Sequence, residues 1–290
     1  MALKLMYITN RPDVAQIAQQ NGVDRIFVDM EWIGKAERQG NMDSVKNRHT
    51  VDDVKAIREV LLTSELLVRV NPIHEATPDY PSTEEEIDSV IAAGADVIML
   101  PYFKTLDEVK RFYKAVDGRT KTILLLETKE AVQILPAILE LKDLDEVHIG
   151  LNDLSISYGK KFMFELLADD TVERICRLLQ MKHVFYGFGG IASLGRGLVP
   201  AEMIIKEHYR LGSHMAILSR SFCNVDRFTE LDAIEEVFYR GVREIRTLER
   251  ECAYHTSYFT DNHKQLELAV DSVVRTMEED AQHQKEEAFS

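Results

Sequence analysis

The sequence predicts an α/β protein of the (β/α)8 TIM-barrel class with a C-terminal helical extension. Three observations carry that prediction. Short apolar runs alternate with longer amphipathic segments along most of the chain, the pattern of strand–helix units. The runs are apolar throughout instead of at every second residue, as in a parallel sheet covered on both faces. There are eight of them, the number that closes such a barrel. A doubly wound open sheet is the second reading of the same alternation.

The first run, 3–8 (LKLMYI), leads into a helical pattern at 12–20. The second, 25–30 (RIFVDM), precedes a long loop at 32–49 and a helix at 50–62, where Thr50 followed by Asp53 is N-cap chemistry. The third, 65–70 (ELLVRV), precedes a loop at 71–83 and a helix at 84–94, announced by Ser82-Thr83 before acidic residues. Runs at 96–100, 122–127 and 146–150 lead into helices at 105–116, 128–141 and 163–180. The last two runs, 183–187 and 214–218, flank a helix at 200–211, with Pro200 suited to its first turn. Two long helices follow, at 229–252 and 262–283. The first closes the barrel, giving a catalytic domain over 1–252; the second belongs to an extension over 253–290. That second helix is surplus to the fold and is expected to pack on a neighbouring subunit.

Composition narrows the function. The 290 residues carry a formal charge of −14, which argues against nucleic acid as a partner because phosphate binding needs a basic face. No apolar stretch reaches the roughly 18 residues that span a bilayer, and no signal segment opens the chain, so a cytoplasmic protein without a membrane partner is expected. Cys176, Cys223 and Cys252 are too few and too scattered for a disulfide framework or a thiolate metal site.

The chemistry should lie at the strand ends, which share one rim in a parallel barrel. Asp29, Glu31 and Trp32 end the second strand, Arg69 the third and Glu127 the fifth, while the sixth runs into Gly150-Leu151-Asn152-Asp153. Four carboxylates at close quarters repel unless a cation neutralises them, and a hard divalent ion with oxygen ligands is the simplest remedy. The plainer alternative is that each acid caps the helix behind it, as Asp153 before Leu154-Ser155 suits. Gly187-Phe188-Gly189-Gly190-Ile191-Ala192 matches G-x-G-x-x-A after a strand, yet no helix opens directly behind it. It reads as a flexible glycine-rich loop over the same rim.

These strand ends also carry a resemblance. Asp24-Arg25-Ile26-Phe27-Val28-Asp29-Met30-Glu31, Val68-Arg69-Val70-Asn71-Pro72, Gly94 to Pro101, Leu126-Glu127-Thr128 and Ile149-Gly150-Leu151-Asn152-Asp153-Leu154-Ser155 follow one another as in the HpcH/HpaI aldolase–citrate lyase family. The chain resembles that family over about residues 3–220. The resemblance implies a metal-dependent carbon–carbon lyase. Mg²⁺ or Mn²⁺ would be held by Glu127 and Asp153, and a 2-oxo acid such as pyruvate or oxaloacetate would meet an aldehyde partner. Arg69 would stabilise the enolate charge. Asp29 and Glu31 would orient metal waters or relay protons, and backbone N–H groups around Gly150, Leu151 and Asn152 would hold the substrate carboxylate. A homo-oligomer built on dimers, up to a hexamer, is implied as well.

The sequence departs from the family where Trp32 follows Glu31 in place of a histidine that serves in base catalysis, and Leu125 stands where some aldolases have glutamine. His49 and His74 are candidate bases by position, and a metal-bound water is another. Trp32 is then a candidate wall of the substrate pocket. Arg196 and Arg220, on the loops after strands seven and eight, would suit a citrate-lyase-like enzyme acting on an acyl-coenzyme A thioester. A barrel that holds metal but has lost its base is the third reading. Lys35, Lys104 and Lys129 lie near strand ends, but a Schiff-base lysine must be desolvated, and the acid pair Glu127/Asp153 would keep a lysine charged.

Overall fold

The computed structural model describes residues 2–35, 48–254 and 257–288. Eight parallel strands close in sequence order, β1 to β8: Lys4–Ile8, Arg25–Asp29, Glu65–Arg69, Val97–Leu100, Lys121–Leu126, Glu146–Ile149, Phe185–Ile191 and Met215–Leu218. The β1–β8 pairing, with Met6 opposite Ile217, shuts the barrel. The described helices around it are α1 (Pro12–Gln20), α2 (Val51–Val60), α3 (Thr83–Ala92), α4 (Leu106–Val116) and α5 (Lys129–Ile138). They continue with α6 (Leu151–Ser157), α7 (Glu165–Ala168), α8 (Thr171–Met181), α9 (Ala201–Arg210), α10 (Leu231–Tyr254) and α11 (Phe259–Ala288).

Local chemistry sets the helix starts. Thr50 caps α2, Ser82 α3 and Thr105 α4, each in a reciprocal box with the acid three residues on, Asp53, Glu85 and Glu108. Each pair satisfies two otherwise unpaired N–H groups. Thr128 caps α5 by accepting the N–H of Ala131.

The barrel interior is filled by Met6, Phe27, Leu67, Val97, Met99, Ile123, Leu125 and Met215. Alternate residues such as Ile26, Val28, Leu66 and Val68 face outward into the larger core beneath the helices. Burying each side chain of this kind stabilises by about 1.5–3 kcal/mol. The N-terminal end is plugged by Arg25, which is fully buried. Its guanidinium meets Glu146 at 2.6 and 2.7 Å and Glu65 at 2.7 Å. Lys4 and Lys121 also pair with Glu65, at 2.9 and 2.6 Å.

Three expectations need correction. The glycine-rich segment 187–191 is not a loop but the second half of β7, with a register irregularity between Gly187 and Gly190. Glycine is required there by space: a Cβ on Gly187 would stand 2.0 Å from the Met215 carbonyl oxygen. The single helix expected at 163–180 is two pieces, α7 and α8, and a short helix, α6, opens directly after β6 where only strand end and loop were expected. Finally, α11 is not surplus to its own chain. It packs on α9 and α7, burying Leu266 and Val270. No described helix is long and apolar enough to cross a membrane.

Candidate active site at the C-terminal rim

The rim begins with a register. Asp29, the last residue of β2, lies opposite Arg69, the last of β3, so both side chains leave the sheet at one level. Arg69 Nε and Nη2 donate to Asp29 Oδ1 and Oδ2 at 2.8 and 2.7 Å, the two-toothed fork that guanidinium and carboxylate planes favour. The third guanidinium nitrogen stands 3.3 Å from Glu31 Oε2. A tight turn, with the Lys35 N–H on the Trp32 carbonyl, folds Lys35 back onto the same pair. Its Nζ lies 3.0 Å from Asp29 Oδ2 and 3.5 Å from Glu31 Oε2. Burial pushes the Asp29 carboxyl up, but Arg69 and Lys35 outweigh it and hold the group well below the usual carboxylate range. Burial likewise opposes the charge on Arg69, and Asp29 and Glu31 reverse that, holding the guanidinium firmly protonated.

Glu127 follows β5 and is buried, its Oε1 accepting the N–H of Tyr102 at 2.9 Å. Gly150 makes room for it. A Cβ there would fall 2.9 Å from both Cβ and Oε2 of Glu127. Asp153 sits buried in the first turn of α6. Asp29 and Glu31 thus enclose Arg69 and Lys35, Glu127 lies close enough to add to the charge holding Arg69 protonated, and Asp153 stands in the first turn after β6. Among the described residues no three His, Cys, Asp or Glu side chains are grouped closely enough to hold a metal by themselves. Two carboxylates with an excess of negative charge still suit Mg²⁺ or Mn²⁺, which keeps several waters and takes only one or two protein carboxylates.

The remaining expected residues separate. The Gly150 N–H is already given to the Leu126 carbonyl at 3.1 Å, so it is not available to a substrate. Leu151 is buried and Asn152 exposed. The N–H groups of Leu151, Asn152 and Asp153 belong to the first turn of α6 and have no partner within the helix. Trp32 is 41% exposed, edge-on to Tyr80 at 5.3 Å, with the Arg48 guanidinium 5.7 Å above its ring. Arg196 and Arg220 are exposed on the loops after β7 and β8. Lys104 and Lys129 are exposed, so neither is the desolvated amine a Schiff base needs. The histidines are engaged. His49 Nδ1 accepts the Asp29 N–H at 3.0 Å, which fixes the tautomer with the proton on Nε2. Burial leads the causes that lower the His49 pKa. His74 is strapped between the carbonyls of Pro72 and Pro81, at 2.7 and 3.0 Å, with no nitrogen left for the rim.

Two supports were not read from the sequence. Asn71 Oδ1 accepts the N–H groups of Trp32 and Ile33, at 2.9 and 3.0 Å. Its Nδ2 donates to Tyr80 Oη at 2.9 Å and Glu86 Oε1 at 2.8 Å. Burial raises the Glu86 pKa. The Asn-Pro step after β3 signalled Asn71, whereas nothing distinguished Glu86 from Glu84 and Glu85 beside it. Lys35 was noticed only as one of three lysines near strand ends.

Comparison with known proteins agrees with this architecture. The model of the HpcH/HpaI aldolase/citrate lyase family matches residues 4–177. A family protein from Burkholderia cenocepacia J2315 superposes with a TM-score of 0.57 at 16% identity, covering 81% of this chain and 95% of that one. An HpcH/HpaI aldolase from Desulfitobacterium hafniense DCB-2 gives 0.55 at 14% identity, over 84% and 93% of the two chains. The citrate synthase SbnG gives 0.54 at 15% identity, over 76% and 87%. No curated protein matches the sequence significantly. The solved relatives share the closed barrel, and the family match runs from β1 into α8, taking in the strand ends that carry Asp29, Arg69, Glu127 and Asp153. The chain belongs to the HpcH/HpaI aldolase/citrate lyase family.

Proposed function

We propose that this barrel makes or breaks a carbon–carbon bond beside the carbonyl of a 2-oxo acid such as pyruvate or oxaloacetate, through an enolate. The carrying observation is the setting of Arg69 at the strand ends: it is gripped on both sides by Asp29 and Glu31, with Glu127 near enough to reinforce its charge. Glu127 and Asp153 are the donors for Mg²⁺ or Mn²⁺, which when bound supplies Lewis-acid polarisation of the substrate's keto oxygen. Arg69 brings a charged, preorganised guanidinium to the negative charge that develops there, a contribution of about 3–4 kcal/mol for a donor of this kind. Asp29 fixes its plane. The first-turn N–H groups of Leu151, Asn152 and Asp153 are donors for the substrate carboxylate. Trp32 and Tyr80 wall the space for the aldehyde. The family's lyase and aldolase members support this reading, and a homo-oligomer goes with it.

Exposed Arg196 and Arg220 over the same rim favour a second reading, an acyl-coenzyme A thioester substrate. The deciding experiment is decarboxylation of oxaloacetate at fixed free Mg²⁺ or Mn²⁺, comparing the protein with Glu127→Ala. Metal-dependent turnover that the variant loses is expected. A rate no higher than free metal would sink the pyruvate reading. Coenzyme A binding that Arg196→Ala abolishes would install the second, and metal and oxo-acid binding without turnover would mark a barrel that has lost its catalysis.

A further inference from the structure

The proposed reaction needs a group that moves a proton at the enolate carbon, and the described rim offers few. A guanidinium does not give up its proton at neutral pH, which excludes Arg69. Asp29 is fully engaged by Arg69 and Lys35 as an ionised acceptor. His49 has Nδ1 occupied by a backbone N–H, and its neutral ring is no acid. Lys104 and Lys129 are exposed and make no described contact with the cluster. Lys35 remains. Its side chain is only 7% exposed, and its Nζ shares Asp29 Oδ2 with Arg69 Nη2, the two nitrogens 3.0 and 2.7 Å from one oxygen. An ammonium carries three N–H bonds, and Asp29 and Glu31 account for two directions.

Resting on the enolate reading above, we propose that Lys35 is the proton donor to the enolate carbon, and its acceptor in the reverse direction. In the forward step an Nζ–H bond breaks as the C3–H bond forms. The enolate's π pair makes the new bond, the C2 carbonyl is restored, and the neutral amine regains a proton from water. Removal of a C3 proton from pyruvate is the same step reversed.

Two measurements on one preparation test this. Decarboxylation of oxaloacetate reaches the enolate by loss of CO₂ and needs no protein proton donor. Exchange of the pyruvate methyl protons with D₂O, followed by NMR at the same free Mg²⁺, needs one. In Lys35→Met and in Lys35→Arg the ratio of exchange to decarboxylation is expected to fall by about 100-fold or more. Arginine keeps the ion pairs with Asp29 and Glu31 but cannot surrender a proton, so it separates proton transfer from charge balance. It also covers the case in which the methionine variant does not fold. A ratio restored in Lys35→Arg would overturn the proposal and leave Lys35 as a counter-ion. No decarboxylation in the wild type would instead overturn the enolate reading itself, and the donor role with it.

Discussion

The two ends of the barrel are built from the same parts and finish differently. At the N-terminal end Arg25 forks onto Glu146, with Lys4 and Lys121 joining it on Glu65, so three cations face two carboxylates and the end is closed. At the C-terminal end Arg69 forks onto Asp29, with Lys35 beside it, but Glu31, Glu127 and Asp153 bring the carboxylates to four. The first cluster satisfies itself and serves stability. The second carries two more acids than the first and is the one that faces the loops, with Arg196 and Arg220 among them. Position as well as the presence of charged residues separates the plug from the rim.

The sharpest way to break the comparison is at the plug. Arg25→Met leaves Glu146 buried without its fork and is expected to cost about 3–5 kcal/mol in chemical denaturation. A cost near zero would mean the N-terminal cluster is not structural. The rim should respond to cation instead. Mg²⁺ at about 100 times its dissociation constant is expected to stabilise the wild type by about 2.7 kcal/mol, read by calorimetry. Glu127→Gln should lose most of that gain while matching or exceeding the wild type without metal, because it removes one of the repelling carboxylates. Equal metal stabilisation in both would remove Glu127 from the ligand set.

The smallest effect is set by neither cluster. Burial holds His148 in β6 and His208 in α9 neutral, with pKa values pushed down to about 3. In the unfolded chain they titrate near 6.5, so below that pH the unfolded state binds more protons and stability falls as pH drops toward 3. The carboxylates depressed by ion pairs, Asp29 and Glu65, keep their contribution until the pH falls through about 4 and below. Denaturation at pH 7 and pH 5 should therefore differ by about 1–2 kcal/mol per histidine. His208→Phe is expected to reduce the difference, and a flat profile from 7 to 5 would show that the two rings do not stay neutral in the folded state.

Most of the barrel was legible because buried parallel strands announce themselves as unbroken apolar runs. Segment 187–191 escaped since Gly187 is dictated by the Met215 backbone across the sheet, a contact between residues 28 apart that no local pattern records. Leu151–Ser157 escaped because only Gly150 separates the strand end from a helix of seven residues. At the rim, Asp29, Arg69 and Glu127 could be read because a strand end fixes where its last side chain goes. Lys35 could not, since its burial depends on a turn bringing it back over Glu31, and Gly150 was read as a donor when its service is to leave space. His49 and His74 bond to backbone atoms, which sequence does not label.

Asn71 has a consequence for how this barrel holds its rim. One amide receives the loop after β2 at Trp32 and Ile33 and ties it to α3 through Glu86 and to the loop after β3 through Tyr80. It works as a socket with a fixed mouth. From that mouth the chain turns at once through Lys35, whose ammonium comes back onto Asp29, so the amide also sets where that cation lands. An aspartate in place of Asn71 would lack the two N–H donors to Tyr80 and Glu86, and the socket would lose its anchor.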